Sequence, residues 1–190
     1  MAIPPCHSPN NAMTSSFSSP SPDLESVYYS PRRARPVPNP PRATFDADRI
    51  ISGKPPTQQG SLWQGAASTV HTADMHGFDV VVLCAQEFQP ILPRSIEVIR
   101  FLSDDCELTM PHLKEAAFVS GKVERRVRAG KHVLCTCFAG FNRSGLVVAL
   151  ATMKLTKKPG REVVDHIQRR REGALCNESF ARALRRLRAV

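Results

Sequence analysis

The 190-residue sequence has no long apolar run and few aromatic residues. Its longest apolar stretches, Val80 to Ala85 and Leu146 to Met153, fall well short of the roughly 20 residues that a membrane-spanning helix needs. We therefore expect no membrane span and no signal peptide. At 42% hydrophobic and 23% charged residues, the chain is nevertheless typical of a protein that buries a real core.

Metal-binding patterns are missing as well. The six cysteines form no C-x-x-C pair, and their spacing from the histidines does not match a zinc site, so we expect no metal and no cofactor. Free thiols predict an intracellular, reducing location, cytoplasmic or nuclear. A Ser-rich opening without acidic residues leaves an organelle transit peptide open as an alternative.

Composition divides the chain into two parts. Residues 1–45 hold ten of the sixteen prolines and several serine pairs, which predicts a disordered tail, because such a stretch buries too little apolar surface to offset its ordering entropy. Residues 46–190 have the composition of a folded domain. The net charge of +9 suits partners that carry phosphate, although the charge alone favours a solvated basic face.

From Asp46 onward, apolar runs alternate with helical patterns. Runs of β-branched and apolar residues predict strands at 78–84, 96–102 and 132–136. Helical periodicity predicts helices at 111–129, with Phe118 on the apolar face, and at 143–155 and 161–172, and Asn177 is placed to cap a last helix. Strands alternating with helices predict an α/β fold, a central twisted sheet with helices on both faces.

The nine residues from Cys137 to Gly145 follow the last strand directly. Backbone N–H groups in a tight strand-to-helix turn point inward, and the helix N-terminus adds partial positive charge, so the segment predicts an anion-binding nest. Gly140 permits the sharp path, and Arg143 can hold two phosphate oxygens as a planar fork. The same positive field favours the thiolate of Cys137. A structural cysteine before a helix cap explains each residue singly but not the combination.

The segment Cys-Phe-Ala-Gly-Phe-Asn-Arg-Ser resembles the signature of protein tyrosine and dual-specificity phosphatases, a Cys, five residues, an Arg and a Ser or Thr. The resemblance is to the compact dual-specificity branch and covers roughly residues 46–190. It implies a phosphotyrosine-phosphatase-like fold and a reaction in which Cys137 forms a phosphocysteine that water hydrolyses. It also implies that Ser144 assists release of the thiolate and that the phosphate is bound by Phe138, Ala139, Gly140, Phe141, Asn142 and Arg143.

One position departs from the family pattern. The family usually places His immediately before the nucleophile, and that His supports a reactive thiolate, whereas this sequence has Thr136 there. We expect the threonine hydroxyl to substitute for it in part.

The resemblance also implies an aspartic acid that protonates the leaving group, supplied by a loop upstream of the helix that precedes the active-site strand. Here that place is Ser103-Asp104-Asp105-Cys106. The spacing to Cys137 favours Asp105 as the acid, with Asp104 as the fallback.

Cys84 ends an apolar strand at a place where some relatives keep a second cysteine. Peroxide could then link Cys84 to Cys137 and protect the nucleophile from further oxidation. A structural role for a buried Cys84 is an equal alternative.

Three functions remain open from sequence. The first is a phosphatase for phosphotyrosine, and for phosphoserine or phosphothreonine, in a protein partner. The second is a cysteine-type RNA 5′-phosphatase, because Gly-Phe-Asn-Arg also resembles the loop of those enzymes and the basic charge of the chain suits RNA. Those RNA enzymes generally lack the Asp acid. The presence of Asp105 therefore favours the protein phosphatase. The third is a non-catalytic phosphate-binding module. Oligomeric state is left open.

Overall fold

The computed structural model describes residues 45–52, 60–74 and 76–189. Nearly all of the tail that the sequence analysis predicts to be disordered lies outside these residues, so that prediction and the boundary between residues 45 and 46 stay predictions. None of the helices in the described ranges is long and apolar enough to cross a membrane.

The elements follow the predicted order, and the structure adds two strands and a 3-10 helix at the start. The predicted strands and helices are found, with ends shifted by at most two residues. Asn177 caps the last helix through its side-chain oxygen, as expected. The full set is β1 (Ala47–Ile51), β2 (Ser61–Ala66), a 3-10 helix (Ala67–Thr72), β3 (Val80–Ala85), β4 (Glu97–Ser103), α1 (Met110–Arg128), β5 (His132–Cys137), α2 (Arg143–Thr156), α3 (Gly160–Arg170) and α4 (Glu178–Arg186).

The five strands form one sheet in the order β1-β2-β5-β3-β4. Strands β2, β5, β3 and β4 are parallel, and β1 is an antiparallel edge strand paired with β2. Parallel strands end at the same edge of a sheet, so the segment after β5 emerges between the ends of β2 and β3. The central strand β5 is therefore the one that carries the Cys137 loop.

The two faces of the sheet are covered differently. One face carries the main core, in which Val82, Val133 and Cys135 pack with residues from all four α-helices. On the other face, Val81, Leu83 and Leu134 pack with Val70 of the 3-10 helix and with neighbouring loop residues. The predicted α/β fold is confirmed. The four α-helices all pack on one face of the sheet, and the helix on the other face is the short 3-10 helix.

Local signals explain where the helices begin and end. Thr109 caps α1 by accepting a hydrogen bond from the His112 amide at 3.4 Å, and Pro111 lies in the first turn, where a missing N–H costs nothing. Gly130, with φ of 84°, follows its end. Phe118 was wrongly assigned to the apolar face of this helix: its side chain is exposed, and Val119, the next residue, is buried instead.

Candidate active site

The segment between β5 and α2 curls into a cradle, defined here as residues 138–143. Its first four carbonyl groups all accept hydrogen bonds from donors outside the cradle: the Phe138 carbonyl from the Ala67 amide at 3.1 Å, and the Phe141 carbonyl from the Leu175 amide at 3.1 Å. The amides of the cradle donate to no residue in the described part of the chain. With the carbonyls held outward, the amides are left to face the mouth of the loop, as in an anion nest.

Gly140 turns the cradle sharply, as the sequence analysis expected. Its φ is +75°, a conformation that costs L residues free energy. A Cβ at this position would also lie 2.5 Å from the Gly65 carbonyl carbon and 2.6 Å from the Ala66 amide nitrogen of β2. The cradle is therefore pressed against the strand beside β5, and a side chain at Gly140 would push it away.

Arg171 holds the outward side of the cradle. Its guanidinium, only 6% exposed, donates through Nε to the Gly140 carbonyl at 2.9 Å and through Nη2 to the Ala139 carbonyl at 3.3 Å. Burial opposes its charge, but Nη1 donates to the carboxylates of Asp46 and Asp48, each at 2.9 Å, and the net effect raises the pKa of Arg171. The cation therefore stays charged while buried against the loop.

Two further groups complete this support. The Gln64 side chain, fully buried on β2, donates through Nε2 to the Gly140 carbonyl at 2.9 Å and the Phe141 carbonyl at 3.1 Å. The Phe141 ring lies 5.3 Å from the Arg171 guanidinium carbon, within the range of a cation–π contact. The cradle is thus fixed by strand β2 on one side and by the end of α3 on the other.

Cys137 lies at the base of the cradle and is 2% exposed. Its Sγ is 3.3 Å from Oγ of Ser144, in the first turn of α2. Asn142 precedes α2, but its side chain does not cap the helix, so the first helical amides stay without a side-chain partner at the same mouth. The sulfur, the hydroxyl and the positive end of α2 meet at one point.

Arg143 is the first residue of α2, and its guanidinium is buried beside the sulfur. Nη1 donates to Oε2 of Glu87 at 2.7 Å and to the Ser103 carbonyl at 3.2 Å. Burial opposes the charge, but the contact with Glu87 and the nearby Cys137 and Asp105 outweigh it and raise the pKa of Arg143. Its Nε is buried and finds no acceptor in the described part of the chain. An oriented, charged donor without a partner is a group that awaits an anion.

The structure brings Asp105, and not Asp104, to the cradle. The Asp105 carboxylate accepts hydrogen bonds from Nδ2 of Asn142 and from Nδ2 of Asn177, both at 2.9 Å. Asn177 also accepts from the first amides of α4 through Oδ1, so one side chain joins the acid loop to a helix N-terminus. No hydrogen bond to the Asp104 carboxylate occurs within the described residues. Asp105 is thus the carboxylate that hydrogen bonds tie to the cradle, and its role as the acid stays a prediction.

Thr136 forms its side-chain hydrogen bond away from Cys137. Its buried hydroxyl donates to the Val82 carbonyl of β3 at 3.4 Å. Side chains alternate along a strand, so Thr136 and Cys137 point to opposite faces of β5. The hydroxyl beside the sulfur is that of Ser144, and the partial substitution of Thr136 for the usual histidine stays a prediction.

Cys84 lies on β3, next to the nucleophile's strand. The paired register of β3 and β5 ends at Leu83 and Thr136, and Cys84 and Cys137 are the next residues on the two strands. Both belong to the main core cluster. Burial raises the pKa of the Cys84 thiol well above its ordinary value and so favours the thiol over the thiolate.

Sequence reasoning missed Arg171, Gln64, Glu87 and Asn177 as parts of the site. Arg171 belongs to a run of three arginines and entered the sequence analysis only through the net charge, and Asn177 was recognised only as a cap. Gln64 offered one usable signal, a lone polar residue within the apolar piece at the start of the domain. Among the described residues, no group of three or more His, Cys, Asp or Glu side chains is arranged to hold a metal ion.

Comparison with known proteins identifies the fold. No protein-family model and no curated protein sequence matches the chain. Solved structures do match. Human DUSP28 is 20% identical, with 80% of this chain and 94% of that chain covered and a TM-score of 0.60. A mouse putative dual specificity phosphatase complexed with zinc tungstate is 18% identical, with 74% of this chain and 85% of that chain covered and a TM-score of 0.62. A third match is the human tyrosine phosphatase-like serine/threonine/tyrosine-interacting protein, which is 17% identical, with 74% of this chain and 94% of that chain covered and a TM-score of 0.60. The chain has the fold of the compact dual-specificity phosphatases, as the sequence resemblance implied.

Replacing Arg171 tests how far the cradle depends on it. In Arg171→Met, the Ala139 carbonyl loses its donor and the Asp46 and Asp48 carboxylates lose their counter-charge. We expect a loss of about 2 kcal/mol in the free energy of unfolding, less than for a fully buried ion pair because both carboxylates are half exposed. Urea unfolding measures it, with Arg169→Met, an exposed neighbour in the last turn of α3, as the matched control. Equal stability of the two variants would contradict the role assigned to Arg171.

Proposed function

Starting from the dual-specificity phosphatase fold, we propose that this protein is a cysteine-dependent protein phosphatase. It hydrolyses phosphotyrosine, and phosphoserine or phosphothreonine as further substrates, through a phosphocysteine intermediate. The observation that carries the proposal is the meeting of the Cys137 sulfur, the Ser144 hydroxyl and the unpartnered Nε of Arg143 at the mouth of one amide-lined loop.

The first step uses the cradle as an anion site and the sulfur as nucleophile. Phosphate oxygens accept hydrogen bonds from the cradle amides and from Arg143, whose orientation is fixed by Glu87. The Cys137 thiolate attacks phosphorus, and the phosphorus–oxygen bond to the substrate breaks. The leaving oxygen takes a proton from Asp105, which then becomes a carboxylate.

The second step releases phosphate and restores the sulfur. Asp105 accepts a proton from water, whose oxygen attacks the phosphorus and breaks the phosphorus–sulfur bond. Ser144, with Oγ 3.3 Å from Sγ, donates a hydrogen bond to the departing sulfur and lowers the barrier to its release as a thiolate. Every group in this scheme belongs to the chain, so the reaction as written requires no cofactor.

Two alternatives stay open beside the main proposal. RNA 5′-phosphate hydrolysis would use the same sulfur and cradle without the need for Asp105. A non-catalytic phosphate-binding module is the other, and it gains support from the similar human structure whose name describes it as tyrosine phosphatase-like and as an interacting protein. An intact Cys137, Arg143 and Ser144 favour the enzyme.

Replacing the nucleophile separates an enzyme from a binding module. Wild-type protein should hydrolyse 4-nitrophenyl phosphate, and Cys137→Ser should lower kcat at least about a thousandfold, as loss of a covalent nucleophile does in other hydrolases. Binding of inorganic phosphate, measured by calorimetry, should persist in Cys137→Ser because the cradle remains. Cys106→Ser, which alters an exposed thiol, is the control. A folded wild-type protein that binds phosphate without turnover would support the non-catalytic alternative.

Replacing the acid separates ester substrates from triphosphates. In Asp105→Asn, kcat for phenyl phosphate, whose leaving group needs a proton, should fall about a hundredfold or more. Cleavage of a 5′-triphosphate RNA should fall far less, because a diphosphate leaves without help. Faster wild-type cleavage of the RNA than of the ester would favour the RNA alternative, and loss of activity in Asp104→Asn instead of Asp105→Asn would move the acid role to Asp104.

Cys84 is proposed as the redox partner of Cys137 in a reducing, intracellular setting. Peroxide oxidises the Cys137 thiolate to a sulfenic acid and is reduced to hydroxide; the Cys84 thiol then attacks this sulfur, and water leaves as the disulfide forms. Adjacent strands lie about 4.8 Å apart, within the Cα separation that a disulfide spans. Peptide mapping of peroxide-treated protein should find a Cys84–Cys137 link, and Cys84→Ser should suffer irreversible oxidation of Cys137. A Cys137 that over-oxidises equally in both proteins would contradict this role.

A further inference from the structure

Carboxylates lie near the cradle and its supports, although the chain as a whole carries a net charge of +9. Six of them, here called the acidic rim, lie on segments that contact the cradle or its supports, and all six residues are at least partly exposed. They are Asp46, Asp48, Glu87, Asp104, Asp105 and Glu107.

Each part of the rim is tied to the site by contacts. Glu87 binds Arg143, and Ser103, directly before Asp104, gives its carbonyl to the same guanidinium. Asp105 binds Asn142 of the cradle, which places the segment 104–107 along one side of the mouth. Asp46 and Asp48 bind Arg171 behind the cradle. The rim is therefore part of the site and not a distant patch.

Two cations form ion pairs with the rim within the described residues, and both are buried. Arg143 pairs with Glu87, and Arg171 pairs with Asp46 and Asp48. Asp104 and Glu107 are exposed and form no ion pair with a described residue. Many of the exposed basic side chains lie elsewhere, as in the last turns of α1 and α4, at the ends of those helices far from the acid loop. Asp46, Asp48 and Arg171 lie behind the cradle, so the mouth itself has Glu87, Asp104, Asp105 and Glu107 beside one paired guanidinium, that of Arg143. Among the described residues this balance is acidic.

The cradle and the rim select for different parts of a substrate. The amides and the unpartnered Nε of Arg143 attract one phosphate into the loop. Groups attached to that phosphate remain at the mouth, where the carboxylates repel further negative charge and attract positive charge over a distance of about one Debye length, roughly 8 Å at physiological salt. A second phosphate is disfavoured there, and an Arg or Lys side chain is favoured.

We propose that the acidic rim selects phosphorylated peptide segments with basic residues beside the phosphorylated side chain, and disfavours polyphosphorylated substrates such as the 5′ end of RNA. This inference rests on the proposed phosphatase function and narrows its substrate class. Asp104 and Glu107 carry the selectivity, because both are exposed and neither forms an ion pair within the part of the chain that the structure describes.

The test compares three peptides that share a phosphotyrosine and differ only in flanking residues: Arg, Gln or Glu on both sides. We expect kcat/KM to fall about fivefold to tenfold from the Arg to the Glu peptide at low salt, since exposed charge pairs contribute modestly. The preference should shrink as salt rises. A 5′-triphosphate RNA of similar length should be cleaved more slowly than the Arg peptide.

Charge removal locates the effect. The double variant Asp104→Asn, Glu107→Gln should reduce the ratio of kcat/KM between the Arg and Glu peptides at least twofold. The control is Glu162→Gln, which removes one charge in the first turn of α3, where that helix follows the far end of α2, and should leave the ratio unchanged. An equal or reversed peptide preference in the wild type, or faster cleavage of the RNA, would overturn the proposal.

A fourth substrate keeps the two conclusions apart. If 4-nitrophenyl phosphate is hydrolysed but the peptides show no charge preference, the acidic rim has no role in selection and the phosphatase function stands. If neither 4-nitrophenyl phosphate nor any peptide is hydrolysed by folded protein, the phosphatase function itself fails. A ratio unaltered in the double variant, with a preference present in the wild type, would assign selection to other residues and contradict the role of Asp104 and Glu107.

Discussion

The structure of the site depends on one buried cation, Arg171. A guanidinium that leaves water must recover its lost hydration. Here the carboxylates of Asp46, just before β1, and Asp48, on β1, supply the replacement together with two carbonyls from the cradle. The same contacts that keep Arg171 charged also turn the carbonyls of Ala139 and Gly140 outward. Because a peptide group points its N–H opposite to its C=O, this orientation leaves the amides facing the mouth. Remote residues thus set the chemical character of the loop.

A second consequence concerns the sulfur. With Thr136 bonded to Val82 on the other face of β5, the groups that face Cys137 are the cradle amides, the N-terminus of α2, Ser144 and Arg143. All of them are fixed by packing or hydrogen bonds before any ligand arrives, Arg143 by Glu87 and the Ser103 carbonyl. Preorganised dipoles of this kind stabilise charge without the cost of reorienting during a reaction. Where the family pattern has an imidazole this chain has Thr136, and the preorganised groups that the structure offers to the sulfur are these backbone and side-chain dipoles.

Local sequence predicted the elements that local forces determine. The run 132–136 and the turn into the helix at Arg143 were placed correctly because β-branched residues, a glycine turn and helical periodicity all act over a few residues. Strands β1 and β2 were not assigned: each is short, and a Pro/Gly-rich link separates them, so their pairing depends on the sheet and not on their own pattern. The role of Arg171 was also out of reach, since its partners Asp46 and Asp48 lie more than 120 residues earlier.

Trp63, the only tryptophan of the chain, lies on β2 immediately before Gln64, the side chain that grips the cradle. Its indole N–H donates to Ser61 Oγ at 2.7 Å, and its ring contacts Phe45 and Phe78 at centroid distances of 5.8 and 5.7 Å. Half-buried on the strand that supports the loop, the indole is a natural optical reporter. Its emission wavelength and quenching arise from a single chromophore, so spectroscopic changes on ligand addition can be assigned to this strand without any label.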